Sequence, residues 1–158
     1  MRIGFGFDTH KLQTGQPFRL GGISIDHTKG TTGHSDADVL IHAIIDALLG
    51  AAGLPDIGRQ FPDTSSEYKG IDSSILLRRC VVLIREKKIS IGNIDCTVVL
   101  QQPKIAAYIP SMITALSGCL EIDPSNISIK AKTSEKLGFI GREEGISAYA
   151  VCLLNIAG

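Results

Sequence analysis

An α+β fold, a sheet with helices packed on one face, is what this sequence predicts, and three observations carry the reading. Strand-like runs stand at both ends, "MRIGFGF" at the start and "GISAYAVCLLNI" at the finish. Runs with a helical period lie between them. The 158 residues amount to a single domain, 1–158, long enough to bury about 70% of the surface of the unfolded chain. The chain shows no internal repeat, low-complexity tract or linker-like composition.

The opening strand runs into "FGFDTHKL". Strand residues two apart project from one face, so Asp8 and His10 point the same way. A lone carboxylate in apolar surroundings is costly unless a metal ion or a cation neutralises it; the plain alternative is a solvated strand end. Next, "FRLGGISI" predicts two short strand pieces around Gly21 and Gly22. "GTTGHSDAD" reads as a glycine-punctuated loop leading into a helix, with Ser35 as N-cap and Asp38 three residues on, where a capping box has its acceptor. That helix continues to about Ala52, before Gly53. A second loop, "LPDIGRQFPDTSSEYKG", precedes a helix from about Ser73 to Lys87, in which Ile75, Leu76, Cys80, Leu83 and Ile84 keep a 3.6 period. A strand around "NIDCTVVL" follows. "KIAAYIPSMITALSGCL" reads as a helix with Pro110 near its first turns. "NISIKAKT" alternates, with Ile127, Ile129 and Ala131 on one face and Ser128, Lys130 and Lys132 on the other. "GISAYAVCLLNI" is the closing strand.

Lysine plus arginine equal aspartate plus glutamate at 16 each, so no global field favours nucleic acid or an anionic membrane, and any anion site must be local. No basic and apolar leader precedes Asp8, and the most apolar stretch, "VLIHAIIDALLGAAG", is interrupted by His42 and Asp46. The expectation is a soluble, cytoplasmic chain. Cys80, Cys96, Cys119 and Cys152 are widely spaced, form no CxxC pair and sit in apolar runs, which predicts reduced core thiols rather than disulfides.

On the helix of residues 35–52, Asp38, His42 and Asp46 stand a turn apart on one face, interrupting the apolar set Leu40, Ile41, Ile44, Ile45 and Leu48. A lone histidine there is ordinarily a hydrogen-bonded core residue, but three polar positions in line weaken that reading. If His42 meets Asp8 and His10 in space, the trio is a His₂Asp set with an open fourth position, the pattern of a catalytic zinc. Asp46 or Asp38 would then accept the second N–H of a ligand histidine. "GHSD" puts His34 and Ser35 at a helix N-terminus, which attracts phosphate or serves simply as a cap. "KAKTSEKLGFIGREEG" ends a strand with Lys132, Thr133 and Glu135, then presents Phe139, Arg142 and Glu144 among glycines. Lysine and threonine suit phosphoryl oxygens, and glutamate suits magnesium bridging two phosphates; the alternative is a solvated turn. Asp56 and Asp63 in "LPDIGRQFPDT" are ordinary turn residues taken alone. Together these clusters describe a metal site beside a phosphate site. A metal-dependent phosphodiesterase and a non-catalytic ligand sensor both remain open at this point.

In order along the chain stand "GFGFDTHKL", "LGGISI", "GHSDADVLIHAIIDALLGAAGLPDIGRQFPDT", "KGIDS", "QQPK", "KAKTSEKLGFIGREEGI" and "AVCLLN". From Arg2 to nearly the last strand the sequence resembles the 2-C-methyl-D-erythritol 2,4-cyclodiphosphate synthase family of the non-mevalonate isoprenoid pathway. The resemblance implies a mixed β-sheet, a homotrimer with active sites between subunits, and a phosphorus–oxygen lyase. The implied reaction converts 4-diphosphocytidyl-2-C-methyl-D-erythritol 2-phosphate to the 2,4-cyclodiphosphate with release of CMP, by attack of the 2-phosphate on the β-phosphate. It also implies that Asp8, His10 and His42 hold one zinc per subunit, with Asp8 and His10 touching substrate as well. His34 and Ser35 match the loop that holds the 2-phosphate, and His34 and Thr133 match the positions that stabilise the transition state. Glu135 matches the ligand of a magnesium or manganese ion between the α- and β-phosphates. Asp56, Ile57 and Gly58 match the loop around the methylerythritol, which continues through Phe61, Pro62, Asp63, Thr64 and Ser65. Leu100, Gln101, Gln102, Pro103, Lys104, Ile105 and Ala106 match the cytidine side, with Lys132, Thr133 and Ser134. Phe139 and Arg142 match residues near the trimer axis, where a hydrophobic cavity can hold an isoprenoid diphosphate. This chain departs from the family with Ser65 where an aspartate is frequent, with Ala37 where a glycine is frequent, and with Leu100 and Gln102 in a segment that is often smaller.

Overall fold

Alternation along the first strand decides the architecture. In β1 (Arg2–Thr14), Gly4, Gly6 and Leu12 are buried, with Asp8 and His10 half-buried between them, while Ile3, Phe5 and Phe7 on the other face are exposed. Such a strand has one covered and one open side. The structure is a computed structural model that describes residues 1–62, 64–68 and 70–156. After β1 come β2 (Arg19–Leu20), β3 (Ile23–Ser24) and β4 (Lys29–Thr32), then helices α1 (Val39–Ala52), α2 (Ile57–Gln60) and α3 (Ser73–Glu86). β5 (Ile89–Val99), α4 (Ile109–Leu120), β6 (Ile127–Lys132), α5 (Gly138–Gly141) and β7 (Gly145–Ile156) complete the chain.

Five strands form one sheet in the order β4-β1-β7-β5-β6. β1 pairs antiparallel with β4 and β7, β5 pairs antiparallel with β7, and β5 pairs parallel with β6, so the sheet is mixed. β2 and β3 make a separate hairpin whose turn uses the positive φ of Gly21 (61°) and Gly22 (81°). α1 is apolar nearly all round, and a helix of that kind is stable only when enclosed. It lies on β1 and β7 and is covered by α3. Its approach to the strand is close. A Cβ built on Gly4 would stand 1.9 Å from the Ala47 carbonyl oxygen, and one on Gly6 1.9 Å from that of Ala43. The two glycines of "GFGF" therefore let the helix backbone rest on the strand, which brings His42 over Asp8 and His10.

Most expected elements are present, including the helix beginning at Ser73 and Pro110 in the first turn of α4. Three local expectations are corrected. The segment read as a loop from Gly30 begins as strand β4, which pairs Lys29 to Thr32 with Thr14 to Lys11. The N-cap of α1 is Asp38, not Ser35. Ala37 has φ 57°, outside the right-handed helical region, so the helix cannot start before it, and His34 and Ser35 do not sit at a helix N-terminus. The Asp38 carboxylate accepts from Ile41 N (3.1 Å) and Gly21 N (2.9 Å) through Oδ1 and from Gly22 N (2.7 Å) through Oδ2, tying the hairpin to the helix. Burial pushes this carboxyl above its usual range against the pull of those three donors. Finally, the loop after α1 contains α2 and a 3₁₀ turn, Ser66–Tyr68. All four cysteines are buried and unpaired, as expected. Among the described residues no helix is long and apolar enough to cross a membrane.

Candidate metal centre and substrate cavities

Where β1 passes under α1, three side chains converge. Asp8 Oδ2 lies 2.9 Å from His10 Nε2 and 3.0 Å from His42 Nδ1, and the two nitrogens are 3.1 Å apart. Tetrahedral ligands at the usual zinc distance of about 2.0–2.1 Å stand about 3.3 Å from one another. A triangle of one carboxylate oxygen and two imidazole nitrogens on this scale fits zinc with little rearrangement. Among the described residues it is the one cluster of three or more histidine, cysteine or acidic ligand atoms. Burial raises the Asp8 carboxyl, but hydrogen bonds from His10 and then His42 outweigh it and hold the group well below the usual carboxylate range. Burial lowers the His10 ring, yet the hydrogen bond and charge of Asp8 carry it above its ordinary value.

The outer nitrogens of both histidines are also engaged. His10 Nδ1 donates to the Thr32 carbonyl at 3.1 Å, while His42 Nε2 faces Ser73 Oγ at 2.9 Å and Ser35 Oγ at 3.1 Å. Neither Asp38 nor Asp46 plays the expected orienting part. Asp38 is the cap, and Asp46 Oδ1 accepts from Ile57 N at 2.8 Å, anchoring α2. Both carboxylates satisfy backbone donors that a sequence pattern does not display.

The donor cluster opens on a cavity of about 190 Å³ lined by His10, His34, Ser35, His42, Ile57, Gly58 and Phe61, with Tyr68 and Leu76. Tyr68 and Leu76 carry no sequence mark of a binding role, since Leu76 fits the apolar period of its helix like any core position. Asp56 is exposed and caps α2 through Arg59 N (2.9 Å) instead of lining this cavity. Pro62 and Thr64 are exposed and Ser65 is half-buried. Asp63 lies outside the described residues.

A second cavity of about 140 Å³ gathers Leu100, Pro103, Lys104, Ile105, Ala106, Ala131, Lys132 and Thr133, where β5 and β6 end. Gln102 is exposed, and Gln101 Oε1 accepts from Lys136 N at 3.1 Å. Ser134 Oγ donates to the Leu137 carbonyl (2.8 Å), and Thr133 Oγ1 donates to Glu135 Oε1 (2.8 Å). The two cavities share no residue. β1 and β6 are separated by β7 and β5, three strand spacings or about 14 Å across the sheet. Phe139 and Arg142 stand apart from both cavities, and the guanidinium of Arg142 binds Glu144 in a fork at 2.9 and 3.1 Å.

Residues 1–155 match the YgbB family. The 2-C-methyl-D-erythritol 2,4-cyclodiphosphate synthase of Porphyromonas gingivalis is 58% identical over 156 residues, covering 99% of this chain and 96% of that one. The synthase of the same name from Bacteroides fragilis is 59% identical over 155 residues, covering 98% of each chain. A solved 2C-methyl-D-erythritol-2,4-cyclodiphosphate synthase in a CDP-bound form has a TM-score of 0.91 at 35% identity, covering 98% of this chain and 100% of the other.

Proposed function

The chain belongs to the YgbB family of 2-C-methyl-D-erythritol 2,4-cyclodiphosphate synthases, and from that membership we propose how its residues divide the work. The protein is a phosphorus–oxygen lyase that cyclises 4-diphosphocytidyl-2-C-methyl-D-erythritol 2-phosphate and releases CMP. An oxygen of the 2-phosphate attacks the β-phosphorus while the bond from that phosphorus to the oxygen of CMP breaks, and CMP departs with the electron pair. No protein nucleophile is needed. Holding the two phosphates in line removes an entropic barrier of about 7 to 11 kcal/mol at best. Residues 1–158 act as one synthase domain.

The observation that carries the catalytic reading is the Asp8, His10 and His42 triangle, whose two histidines line a cavity together with His34 and Ser35. These three side chains hold one zinc per subunit. When bound, the metal supplies Lewis-acid polarisation of a phosphoryl oxygen. His34 and Ser35 hold the 2-phosphate, with Ile57, Gly58 and Phe61 against the methylerythritol carbons and Asp56, Pro62, Asp63, Thr64 and Ser65 at the rim. The cavity from Leu100 to Ala106 takes the cytidine, with Gln101, Gln102 and Ser134 at its edge. Lys132 and Thr133 meet the diphosphate there, and Thr133 and His34 stabilise the charge that develops during transfer. Glu135 holds a magnesium or manganese ion once the diphosphate is present.

We assign these two half-sites to different subunits of a homotrimer. Their separation within one chain supports this, as does the uncovered apolar face of the sheet, where Ile3, Phe5, Phe7, Tyr149 and Val151 are exposed. Phe139 and Arg142 then approach the three-fold axis, where an isoprenoid diphosphate would sit with Glu144 balancing the arginines. The buried reduced thiols suit a cytoplasmic setting. Phosphorus NMR of the purified protein with substrate and magnesium tests the whole reading. The cyclic diphosphate and free CMP are expected; linear hydrolysis products would instead identify a phosphodiesterase, and unchanged substrate a sensor.

A further inference from the structure

His42 has two hydroxyls at its outer nitrogen, and only one of them is free to choose its role. Ser73, fully buried as the first residue of α3, donates its hydroxyl to Asp36 Oδ1 at 2.5 Å, and its backbone N–H donates to Asp36 Oδ2 at 3.0 Å. A carboxylate only accepts, so the single proton of Ser73 is committed to Asp36. Ser73 Oγ, 2.9 Å from His42 Nε2, must therefore accept there. That requires a proton on Nε2, so when the neutral ring ligates a metal it is the Nδ1 lone pair that is presented, at the position between Asp8 Oδ2 and His10 Nε2. Asp36 is itself held in place. Its backbone N–H donates to the Ile71 carbonyl at 3.1 Å, Oδ1 accepts from Asp38 N at 3.2 Å, and Arg19 Nε stands 3.9 Å from Oδ2.

Ser35 differs. Its Oγ lies 3.1 Å from His42 Nε2 and accepts from Ala37 N at 3.3 Å, but among the described residues its own proton meets no carboxylate, and the neighbouring oxygen is Ser73 Oγ at 3.4 Å. One hydroxyl is thus locked inside the structure, while the other, held by no carboxylate and within reach of Ser73 Oγ at 3.4 Å, can turn its proton to a ligand in the cavity. We propose that Asp36 and Ser73 are positioning residues of the reaction: a carboxylate–hydroxyl–imidazole relay that fixes the tautomer and ring orientation of His42 so that Nδ1 is presented to the metal. His10 reaches the same end more simply, through the Thr32 carbonyl. The relay rests on the zinc assignment above.

Zinc affinity measured by chelator competition is the test, with His42→Ala as reference. Ser73→Ala and Asp36→Asn should each weaken zinc binding about 10- to 100-fold, the usual effect of losing a group that orients a ligand histidine. In the zinc-loaded protein the His42 Nε2–H should give a hydrogen-bonded, slowly exchanging nitrogen-edited NMR signal, and Ser73→Ala should make it exchange quickly. A merely structural pair would lower the melting temperature and leave zinc affinity and that signal unchanged. Asp36→Asn, which preserves size, and the wild-type signal decide the matter if Ser73→Ala does not fold. Zinc retained by His42→Ala overturns the metal assignment itself. Zinc lost by His42→Ala but bound at full strength by both relay variants overturns the relay alone.

Discussion

Glu135 occupies an unusual backbone position for a glutamate, with φ 53°, followed by Lys136 at 65°. This left-handed pair turns the chain sharply after β6 and leaves the carboxylate exposed, with Thr133 Oγ1 as its side-chain donor. One carboxylate is a poor cage for magnesium, which normally completes its shell with phosphate oxygens and water. Glu135→Gln should therefore raise the magnesium concentration needed for half-maximal turnover several-fold while leaving zinc content unchanged; an unaltered magnesium dependence would remove Glu135 from the site. At this scale the sequence was informative where chemistry follows a period. Asp8 and His10 share a face because strands repeat every two residues, and His42 stands out because it breaks an apolar helical stripe. Ser73 and Asp36 carry no such mark. They lie 37 residues apart, each an ordinary turn or cap residue until α3 docks beside the loop after β4.

Among elements, the pairing of β1 with α1 places the ligands, and it depends on two missing side chains. Gly6→Ala would put a methyl carbon 1.9 Å from the Ala43 carbonyl oxygen, an overlap with backbone that only a shift of the helix can relieve. Overpacking of this kind costs about 1–3 kcal/mol, occasionally more. Because Ala43 adjoins His42, the same shift would open the metal triangle, so denaturant unfolding and zinc competition should both show a loss. Gly50, an exposed residue of α1 with open space at its Cβ, provides the contrast. Gly50→Ala should stabilise the protein by about 0.5–1 kcal/mol, through helix propensity, without changing zinc affinity. Equal destabilisation by the two variants would show that close approach is not what the β1 glycines provide. The strand and helix themselves were legible, since their periods are long and clean. The start of α1 was not, because Ser35 and Asp38 are equally good caps in sequence and only the left-handed Ala37 excludes the earlier one.

For the whole molecule, one sheet face is packed under helices while the other presents aromatic and aliphatic side chains on β1 and β7. Phe7 and Tyr149 touch across the strands with ring centroids 5.1 Å apart, and the face turns polar further along β1, at Thr9, Lys11 and Gln13, and toward β6, where Asp95 pairs with Lys130. An exposed apolar sheet flanked by charge suits burial against further copies of the chain. Within one chain, the metal triangle and the Lys132 cavity lie on strands about 14 Å apart, so a substrate spanning both is better served by two neighbouring chains. This division makes a quantitative prediction. His42→Ala should spoil only the metal half-site and Lys132→Ala only the cytidine half-site, and each variant alone should be nearly inactive. If the chain forms the proposed trimer with its site divided between subunits, about a quarter of the interfaces in randomly mixed equimolar trimers join an intact metal half from one subunit to an intact cytidine half from its neighbour, and about a quarter of wild-type activity should return. A site built within one chain would recover nothing, because every chain in the mixture carries a defect. Native mass spectrometry would establish that mixed trimers had formed, and absence of activity in them would assign both halves to a single subunit.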